Sequence, residues 1–286
     1  MIYLLGADGQ LGQSIQKVQA TKQQIRYLTL NDLDITNQQS LEVFFDNLSS
    51  SDFIVNCAAY TSVDSAEDHP EIAFAVNAHA TSHLARLCNA SGSKLIHIST
   101  DYVFDGKTDV AYKECDPTNP LGVYGRSKRL GEQEIINAGG DFCIIRTAWL
   151  FSEFGNNFVK TMLTLIQREE ISVVSDQIGS PTYAPDLGLV IFDIINNFSK
   201  CNQQIFHFSN SDRCSWYQFA RKILGNEITI NPVTTAEYPT KARRPPYSLL
   251  NTDKISTTLN IDIRNWQDAL IDCLKELGHD NQESKR

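Results

Sequence analysis

The chain has 286 residues, which exceeds one typical domain of about 100–200 residues. Its 42% apolar and 21% charged residues are typical of a globular protein and exclude a disordered or collagen-like chain. The 25 Lys and Arg against 34 Asp and Glu leave a net charge of −9, which argues against a nucleic-acid partner, because phosphate backbones need clustered cations. A small anionic ligand stays compatible, since helix N-termini can hold phosphate.

The sequence also predicts the cellular compartment. No apolar run approaches the roughly 20 residues that a transmembrane helix needs, and the N-terminal residues lack the basic region of a signal peptide. The seven cysteines include no Cys-x-x-Cys pair, which favours scattered reduced thiols over disulfides or a zinc site. We therefore expect a cytoplasmic protein with no membrane partner.

The first 150 residues alternate short apolar runs with amphipathic stretches. The predicted strands are 2–5, 26–30, 53–56, 94–99 and 142–146. The predicted helices are 9–19, 38–48, 70–91 and 120–138. This alternation indicates an α/β protein with a Rossmann-type, doubly wound parallel sheet that carries helices on both faces.

The sequence changes character after Trp149, where elements become shorter and polar loops separate them. We expect a dinucleotide-binding domain over residues 1–150, joined by parts of 183–200 and 225–255. Residues 151–286 would then mainly form a smaller, mixed substrate domain.

A glycine-rich loop connects the first strand to the first helix. Gly6, Gly9 and Gly12 form a G-x-x-G-x-x-G pattern, with Gln10 and Leu11 at the expected start of the helix. In dinucleotide-binding folds such glycines permit a tight turn, approach of the backbone to a pyrophosphate, and close helix–strand packing. The alternative is a simple turn with no ligand.

The end of the second strand bears on the choice of cofactor. Acidic residues at this place often bind the ribose of NAD, and arginine binds the phosphate of NADP. Asn31 is neither, so NADPH and NADH both remain candidates. Asp34 and Ile35 would line the adenine, or Asp34 would cap the helix that begins near Gln38.

A tyrosine and a lysine lie four residues apart in the fourth predicted helix. Asn119 as N-cap and Pro120 as the first helical residue would place Tyr124 and Lys128 on one face. A neighbouring ammonium would lower the phenol pKa and make Tyr124 a usable proton donor. A merely solvated face is the alternative, but Thr100 ends a predicted strand at the ligand-binding edge of the sheet.

These motifs resemble the extended short-chain dehydrogenase/reductase family, and within it the reductases of dTDP-4-keto-6-deoxysugars. The resemblance covers nearly the whole chain, and the motifs that carry it are the glycine loop, NCAAYTSVD (56–64), STDYVFDG (99–106), YGRSK (124–128), RTAW (146–149), GNNF (155–158) and RPPYSLL (244–250).

The resemblance implies a catalytic triad and a reaction. Tyr124 would protonate the oxygen formed when NADPH or NADH reduces the C4 keto group of a dTDP-4-keto-6-deoxysugar. Lys128 would also bind the nicotinamide ribose, and Thr100 would bind the keto oxygen. The resemblance also implies that Ala58, Ala59, Tyr60 and Thr61 pass along the dinucleotide at the end of the third strand. A plain turn after a buried strand is compatible with this.

The same resemblance implies a set of substrate-binding residues. Besides Thr100, Asp101 would lie near the sugar, Trp149 would pack against it, and Asn156 and Asn157 would approach its phosphates. Trp149 could instead be a core residue. Lys241, Arg243 and Arg244 form a basic cluster, and Arg244 would contact the diphosphate or form loop salt bridges.

Metal dependence and partners stay open. Some family members bridge subunits through Mg²⁺ and acidic residues, one of them in the first helix. Residues 13–16 here read QSIQ, with no carboxylate, which argues against Mg²⁺; a homodimer is compatible. Two other functions also fit: another nucleotide-sugar reductase or epimerase, and a regulatory chain that resembles the β subunit of methionine adenosyltransferase. The intact Thr–Tyr–Lys set argues against a regulatory chain.

Overall fold

The computed structural model describes residues 1–19, 21 and 24–279. Its strands are β1 (Ile2–Leu5), β2 (Ile25–Leu28), β3 (Phe53–Asn56), β4 (Lys94–Thr100), β5 (Phe142–Thr147), β6 (Leu150–Phe151), β7 (Glu170–Val174), β8 (Ile178–Gly179), β9 (Thr182–Tyr183), β10 (Gln204–Phe208), β11 (Cys214–Ser215) and β12 (Thr229–Val233).

The α-helices of the described residues are α1 (Gln10–Val18), α2 (Gln38–Phe45), α3 (Val63–Asp68), α4 (Pro70–Phe74), α5 (Thr81–Ser91), α6 (Val123–Ala138), α7 (Phe158–Thr164), α8 (Ala184–Asn196), α9 (Phe198–Cys201), α10 (Trp216–Leu224), α11 (Asp253–Leu259) and α12 (Trp266–Glu276). None of these helices is both long enough and apolar enough to cross a membrane.

A six-stranded parallel sheet forms the centre of the protein. Its strand order is β10-β5-β4-β3-β1-β2, and every neighbouring pair is parallel. Strands β3 and β5 are buried along their whole length, as expected for strands covered on both faces. One apolar cluster joins the sheet to α1 and α8, and another joins it to α2, α5 and α6. The predicted doubly wound α/β fold is therefore confirmed.

The second part of the chain contributes to both halves of the structure. Helix α8 packs on α1, and β10 extends the sheet beyond β5, so 184–208 belongs with the first half. A separate apolar cluster joins α7, α10 and α12 to the parallel pair β7–β12. We call this cluster and its elements the second lobe.

Residues 225–255 divide between the two halves. Strand β12 pairs with β7, and Ile228 and Ile230 pack into the apolar cluster of the second lobe. Ile255 instead packs into the cluster that joins the sheet to α1 and α8. The predicted helix 70–91 is interrupted by a π-helical turn, Ala75–Ala80. There α6 approaches so closely that a Cβ on Gly131 would lie 2.2 Å from the carbonyl oxygen of Asn77.

Candidate active site

The carboxyl ends of β1, β3, β4 and β5 meet at one edge of the sheet, and a cavity of about 570 Å³ opens there between the sheet and the second lobe. The residues that line it are Gly9, Gln10, Leu11, Gly12, Cys57, Ala59, Thr61, Val63, Ile98, Ser99, Thr100, Asp101, Tyr102, Tyr124, Lys128, Thr147, Ala148, Trp149, Leu150, Asn156, Phe158 and Trp216.

The glycine loop forms one end of this cavity. Gly9 is the N-cap of α1, no side chain caps the helix, and its first turn contains no acidic residue. The first N–H groups of a helix lack intrahelical acceptors, so those of the α1 start are available to an anion. A Cβ on Gly12 would lie 2.3 Å from the carbonyl oxygen of Gly6, so this close loop–helix contact needs glycine. The loop fits the pyrophosphate of a dinucleotide.

The loops after β1 and β3 touch each other beside the cavity. Gly6 has a φ of 74°, and a Cβ there would lie 2.8 Å from the backbone nitrogen of Ala58. Ala59 and Thr61 line the cavity directly. Tyr60 is anchored instead through its backbone N–H, which donates to Asn77 Oδ1 at 2.9 Å. The structure thus brings the predicted cofactor loops together.

Tyr124 and Thr100 meet inside the cavity. Burial raises the pKa of Tyr124 to about 12, while a hydrogen bond with the Thr100 side chain acts in the opposite direction. The nearby charge of Asp101 raises the phenol pKa further. Tyr124 therefore remains a protonated phenol in the free protein and is in the correct form to donate a proton.

Lys128 differs from the expectation. Its side chain is buried, and burial lowers its pKa to about 8, although Glu132 and Cys57 act in the opposite direction. Its amino group donates to the carbonyl oxygen of Ile98 at 2.7 Å. The expected lowering of the Tyr124 pKa by Lys128 is absent in the free protein, because burial governs both groups.

The helix that carries both residues begins later than predicted. Gly122 is the N-cap of α6, so Asn119 does not cap it and Pro120 lies outside it. The backbone N–H of Val123 instead donates to Glu67 Oε1 at 2.7 Å, while Asn119 donates to Asp105. A distant carboxylate has replaced the local cap, and the four-residue spacing of the tyrosine and lysine is unaffected.

Asp101 is a fully buried carboxylate at the cavity. Burial raises its pKa to about 6, against hydrogen bonds from Ser248 and Thr100 that lower it. Its Oδ1 accepts from Thr100 Oγ1 at 3.1 Å, and its Oδ2 has no hydrogen-bond partner within the described residues. An acceptor is thus available next to Thr100, where the resemblance places the sugar.

Two tryptophans form the opposite wall. Trp149 follows β5 and stacks on Trp216, the first residue of α10 in the second lobe. Phe158 lies 4.6 Å from Trp216, measured between ring centroids, and also lines the cavity. Trp149 is thus a partly buried wall of the cavity, in contact with apolar clusters of both halves.

Several predicted ligand residues lie outside the cavity lining. Asn31 is exposed, and Ile35 is buried in the apolar cluster under α2. Asp34 accepts from the backbone N–H of Thr36 at 2.8 Å and does not cap α2, because Asn37 takes that place. Contact of these residues with adenine remains a prediction.

Asn156 and Asn157 have different surroundings. Asn156 lines the cavity, whereas Asn157 caps α7 by accepting from the backbone N–H of Lys160 at 3.2 Å. The Asn157 amide also donates to Gln10 Oε1 at 2.9 Å, which ties the second lobe to the glycine loop. Its role at the substrate phosphates remains a prediction.

The basic cluster forms salt bridges. Arg244 donates to Asp64 Oδ2 at 2.7 Å, and Lys241 pairs with Asp68. Of the two interpretations of the cluster, the structure contains the loop salt bridges. Contact of Arg244 with a diphosphate remains a prediction.

The cavity also contains residues that the sequence did not indicate, and the described residues offer no metal site. Among the described residues, no group of three His, Cys, Asp or Glu side chains could hold a metal ion. Cys57, Val63, Tyr102, Phe158 and Trp216 line the cavity without having been singled out by the sequence. Cys57, Val63, Tyr102 and Phe158 lie in recognised motifs, but Trp216 had no local signal because only the fold brings it to Trp149.

Fold and site together define a Rossmann-fold protein with the site of a short-chain dehydrogenase/reductase. The model of the family described as RmlD substrate binding domain matches residues 1–279. The chain belongs to this family.

Individual relatives agree with this assignment. The chain is 40% identical over 284 residues to dTDP-4-dehydrorhamnose reductase of Aggregatibacter actinomycetemcomitans, covering 94% of this chain and 96% of that one. It is 40% identical over 280 residues to the spore coat polysaccharide biosynthesis protein SpsK of Bacillus subtilis, covering 96% and 97%. A crystal structure of dTDP-4-dehydrorhamnose reductase from Bacillus anthracis in complex with NADP superposes with a TM-score of 0.91 at 37% identity, covering 96% and 98%.

Proposed function

We propose that this protein is an NAD(P)H-dependent reductase that converts the C4 keto group of dTDP-4-dehydro-L-rhamnose to the alcohol of dTDP-L-rhamnose. One observation carries the proposal: Thr100, Tyr124 and Lys128 line the same cavity as the glycine loop. The extensive identity to proteins named dTDP-4-dehydrorhamnose reductase supports the choice of substrate. The product would serve as a precursor for polysaccharide synthesis, in keeping with the name of the Bacillus subtilis relative.

The side chains of the cavity suit this reduction. When bound, the reduced nicotinamide supplies the hydride. Thr100 binds the keto oxygen, and Tyr124 donates its phenolic proton to the oxygen as negative charge develops there. Burial keeps Tyr124 protonated, so the proton is available when the substrate arrives. Lys128 holds the ribose, and the indole of Trp149 offers an apolar face to the sugar or base.

The two halves of the protein would hold different ligands. The second lobe would hold most of the sugar nucleotide, and the N–H groups at the start of α1 would hold the dinucleotide phosphates despite the net charge of −9. All seven cysteines are free, which supports a reducing, cytoplasmic setting. The proposal includes no nucleic-acid or membrane partner, and a homodimer is compatible with it.

Incubation with NADPH or NADH and a panel of dTDP-4-keto-6-deoxysugars tests the substrate. We expect oxidation of the dinucleotide with the rhamnose precursor and formation of dTDP-L-rhamnose. Turnover only with a different sugar would assign another reductase of this fold. No oxidation with any sugar, despite binding of the dinucleotide, would favour a regulatory chain.

Tyr124→Phe tests the catalytic assignment. We expect loss of at least about 100-fold in kcat, the usual range for a lost general acid, with little change in dinucleotide affinity. Tyr27→Phe is the matched control, because the Tyr27 hydroxyl has no hydrogen-bond partner within the described residues and lies away from the cavity. Unchanged turnover in Tyr124→Phe would refute the assignment.

A further inference from the structure

A buried chain of hydrogen bonds connects the loop after β3 to the amino group of Lys128. The backbone N–H of Ala58 donates to Asn56 Oδ1 at 3.1 Å. Asn56 Nδ2 lies 3.1 Å from His97 Nδ1, and His97 Nε2 lies 3.1 Å from Lys128 Nζ. Asn56 and His97 are directly opposed in the parallel pair β3–β4, and both are buried.

The backbone N–H of Ala58 determines which atom donates in each of these hydrogen bonds. A backbone N–H can only donate, so the Asn56 atom that faces Ala58 must be the carbonyl oxygen. The amide group of Asn56 then faces His97 and donates to Nδ1. An Nδ1 that accepts carries no proton, so a neutral His97 must carry its proton on Nε2. His97 therefore donates to Lys128.

The receiving atom must then have a lone pair. An ammonium has three protons and no acceptor site, whereas a neutral amine can accept one bond and still donate to Ile98. The opposite direction would let Lys128 donate to His97 as an ammonium, but Asn56 would then turn its amide group toward the Ala58 N–H. Two donors would face each other at 3.1 Å in a partly buried contact, and the hydrogen bond between them would be lost.

The charges around Lys128 agree with a neutral amine. Burial holds the pKa of His97 well below its usual value, so His97 is neutral. Glu132, the carboxylate that favours the ammonium, is already paired with Arg146 at 2.8 Å. The neighbouring Cys57 thiol and Tyr124 phenol are neutral as well, because burial raises the pKa of each to about 12.

We infer that His97 is a positioning residue whose Nε2–H tautomer, fixed by Asn56 and the Ala58 backbone, donates to Lys128 and holds it as a neutral amine in the alkaline form of the free protein. Protonation of Lys128 requires His97 to give up this hydrogen bond. The consequence for catalysis rests on the proposed function: bound ligands that offer acceptors to Lys128 would favour the ammonium that assists Tyr124.

A second buried histidine provides an internal reference. His207 Nδ1 lies 3.0 Å from the carbonyl oxygen of Tyr112, which can only accept, and His207 Nε2 lies 3.3 Å from Arg146 Nη1, which can only donate. His207 must therefore be the Nδ1–H tautomer. The two buried histidines are predicted to be opposite tautomers in one molecule.

Long-range ¹H–¹⁵N NMR of the free protein, labelled with ¹⁵N-histidine, tests the inference. His97→Gln and His207→Gln assign the two signals. We expect the Nε2–H pattern for His97 and the Nδ1–H pattern for His207 near pH 8.5. An Nδ1–H or doubly protonated His97 would overturn the inference, and no variant needs to be active for this result.

Titration of Lys128 in ¹³C-lysine-labelled free protein adds an independent measurement. We expect the Lys128 Cε signal to titrate near the pKa of about 8, whereas an ammonium that persists to pH 10 would overturn the inference. In Asn56→Asp, a carboxylate would accept from His97 Nδ1–H, so His97 should switch tautomer while His207 does not. Retention of the Nε2–H tautomer in a folded Asn56→Asp protein would also overturn it.

These measurements need no sugar substrate. If the sugar assay fails while the tautomers are as expected, the proposed function is wrong and the inference stands. If the sugar is reduced but His97 is the Nδ1–H tautomer, only the inference is wrong.

Discussion

The indole of Trp149 stacks on the indole of Trp216, with ring centroids 3.6 Å apart and planes inclined by 12°. One residue follows the central sheet and the other begins a helix of the second lobe, so the stack joins the two walls of the cavity. Trp149 adopts a φ of 47°, an unfavourable conformation for a bulky residue that is maintained here by the surrounding contacts. The ring position is thus set by packing.

Gly179→Ala should disturb this wall. A Cβ on Gly179 would lie 2.7 Å from Trp149 Cε2 and 2.8 Å from Cζ2, so the indole must move. Overpacking of this kind costs about 1–3 kcal/mol, and we expect KM for the sugar nucleotide to rise about tenfold. Steady-state kinetics check KM, and fluorescence titration should give an unchanged Kd for the dinucleotide.

Gly225→Ala is the control for Gly179→Ala. Gly225 has a positive φ of 58° and nothing within 4 Å of its Cβ position, and it lies away from the cavity. Alanine there should lower stability by about 1–3 kcal/mol through backbone strain and leave KM unchanged. Equal KM values for Gly179→Ala and wild type would show that Trp149 does not shape the substrate site.

Asp101→Asn should stabilise the free protein at neutral pH. Burial raises the folded-state pKa of Asp101 from 3.8 to about 6, so the unpaired charge destabilises the fold as pH rises through 6. Two pKa units correspond to about 3 kcal/mol, which the variant should gain near pH 7.5 and lose again near pH 4. Urea unfolding at several pH values measures this, and turnover should fall.

Asp52→Asn should change stability with the opposite pH dependence. Burial acts to raise the pKa of Asp52, but hydrogen bonds from the N-terminal ammonium and Ser49 outweigh it and leave the pKa lowered. This variant should lose stability at neutral pH and approach wild type in acid.

A pH-independent effect of Asp101→Asn would contradict the buried, charged state assigned to Asp101.

Arg146→Met should destabilise the protein strongly. Arg146 and Glu132 are almost fully buried and form two hydrogen bonds of 2.9 and 2.8 Å, and Ser99 also donates to Glu132 at 2.5 Å. Without the guanidinium, Glu132 becomes an uncompensated buried charge, which costs about 3–5 kcal/mol. Denaturant unfolding measures the loss.

Two further variants separate the cost of an unpaired buried charge from the loss of an ion pair as such. Glu132→Gln combined with Arg146→Met removes the unpaired charge and should recover part of the stability. Lys241→Met breaks a pair in which both side chains are about half exposed and should cost less than about 1 kcal/mol. Similar losses in Arg146→Met and Lys241→Met would contradict the importance of burial.

Glu67→Ala should weaken the start of the helix that carries Tyr124. Its carboxylate accepts from the backbone N–H of Val123 at 2.7 Å, and loss of such a cap costs about 1 kcal/mol. We expect a small loss of stability together with a several-fold lower kcat. Glu71→Ala, at an exposed position of the next helix, should change neither value. An unaffected kcat would show that the cap does not position Tyr124.

The sequence alone determined the features that depend on local spacing. The apolar runs and helical periodicities defined a doubly wound parallel sheet, and the glycine pattern defined the loop between β1 and α1. The four-residue interval between Tyr124 and Lys128 places them on one helix face wherever the helix begins. The wrong prediction of Asn119 as the N-cap therefore did not affect this pair. Thr100 followed from the rule that ligands bind beyond the carboxyl ends of parallel strands.

Only the tertiary structure decided the contacts between distant parts of the chain. Glu67 caps a helix 56 residues away, and Arg244 pairs with Asp64 across 180 residues. Trp216 reaches Trp149 only because the second lobe folds against the sheet. Protonation states also depend on burial, which sequence spacing does not reveal: the spacing predicted a cation that lowers the Tyr124 pKa, whereas desolvation raises that pKa and lowers the pKa of Lys128.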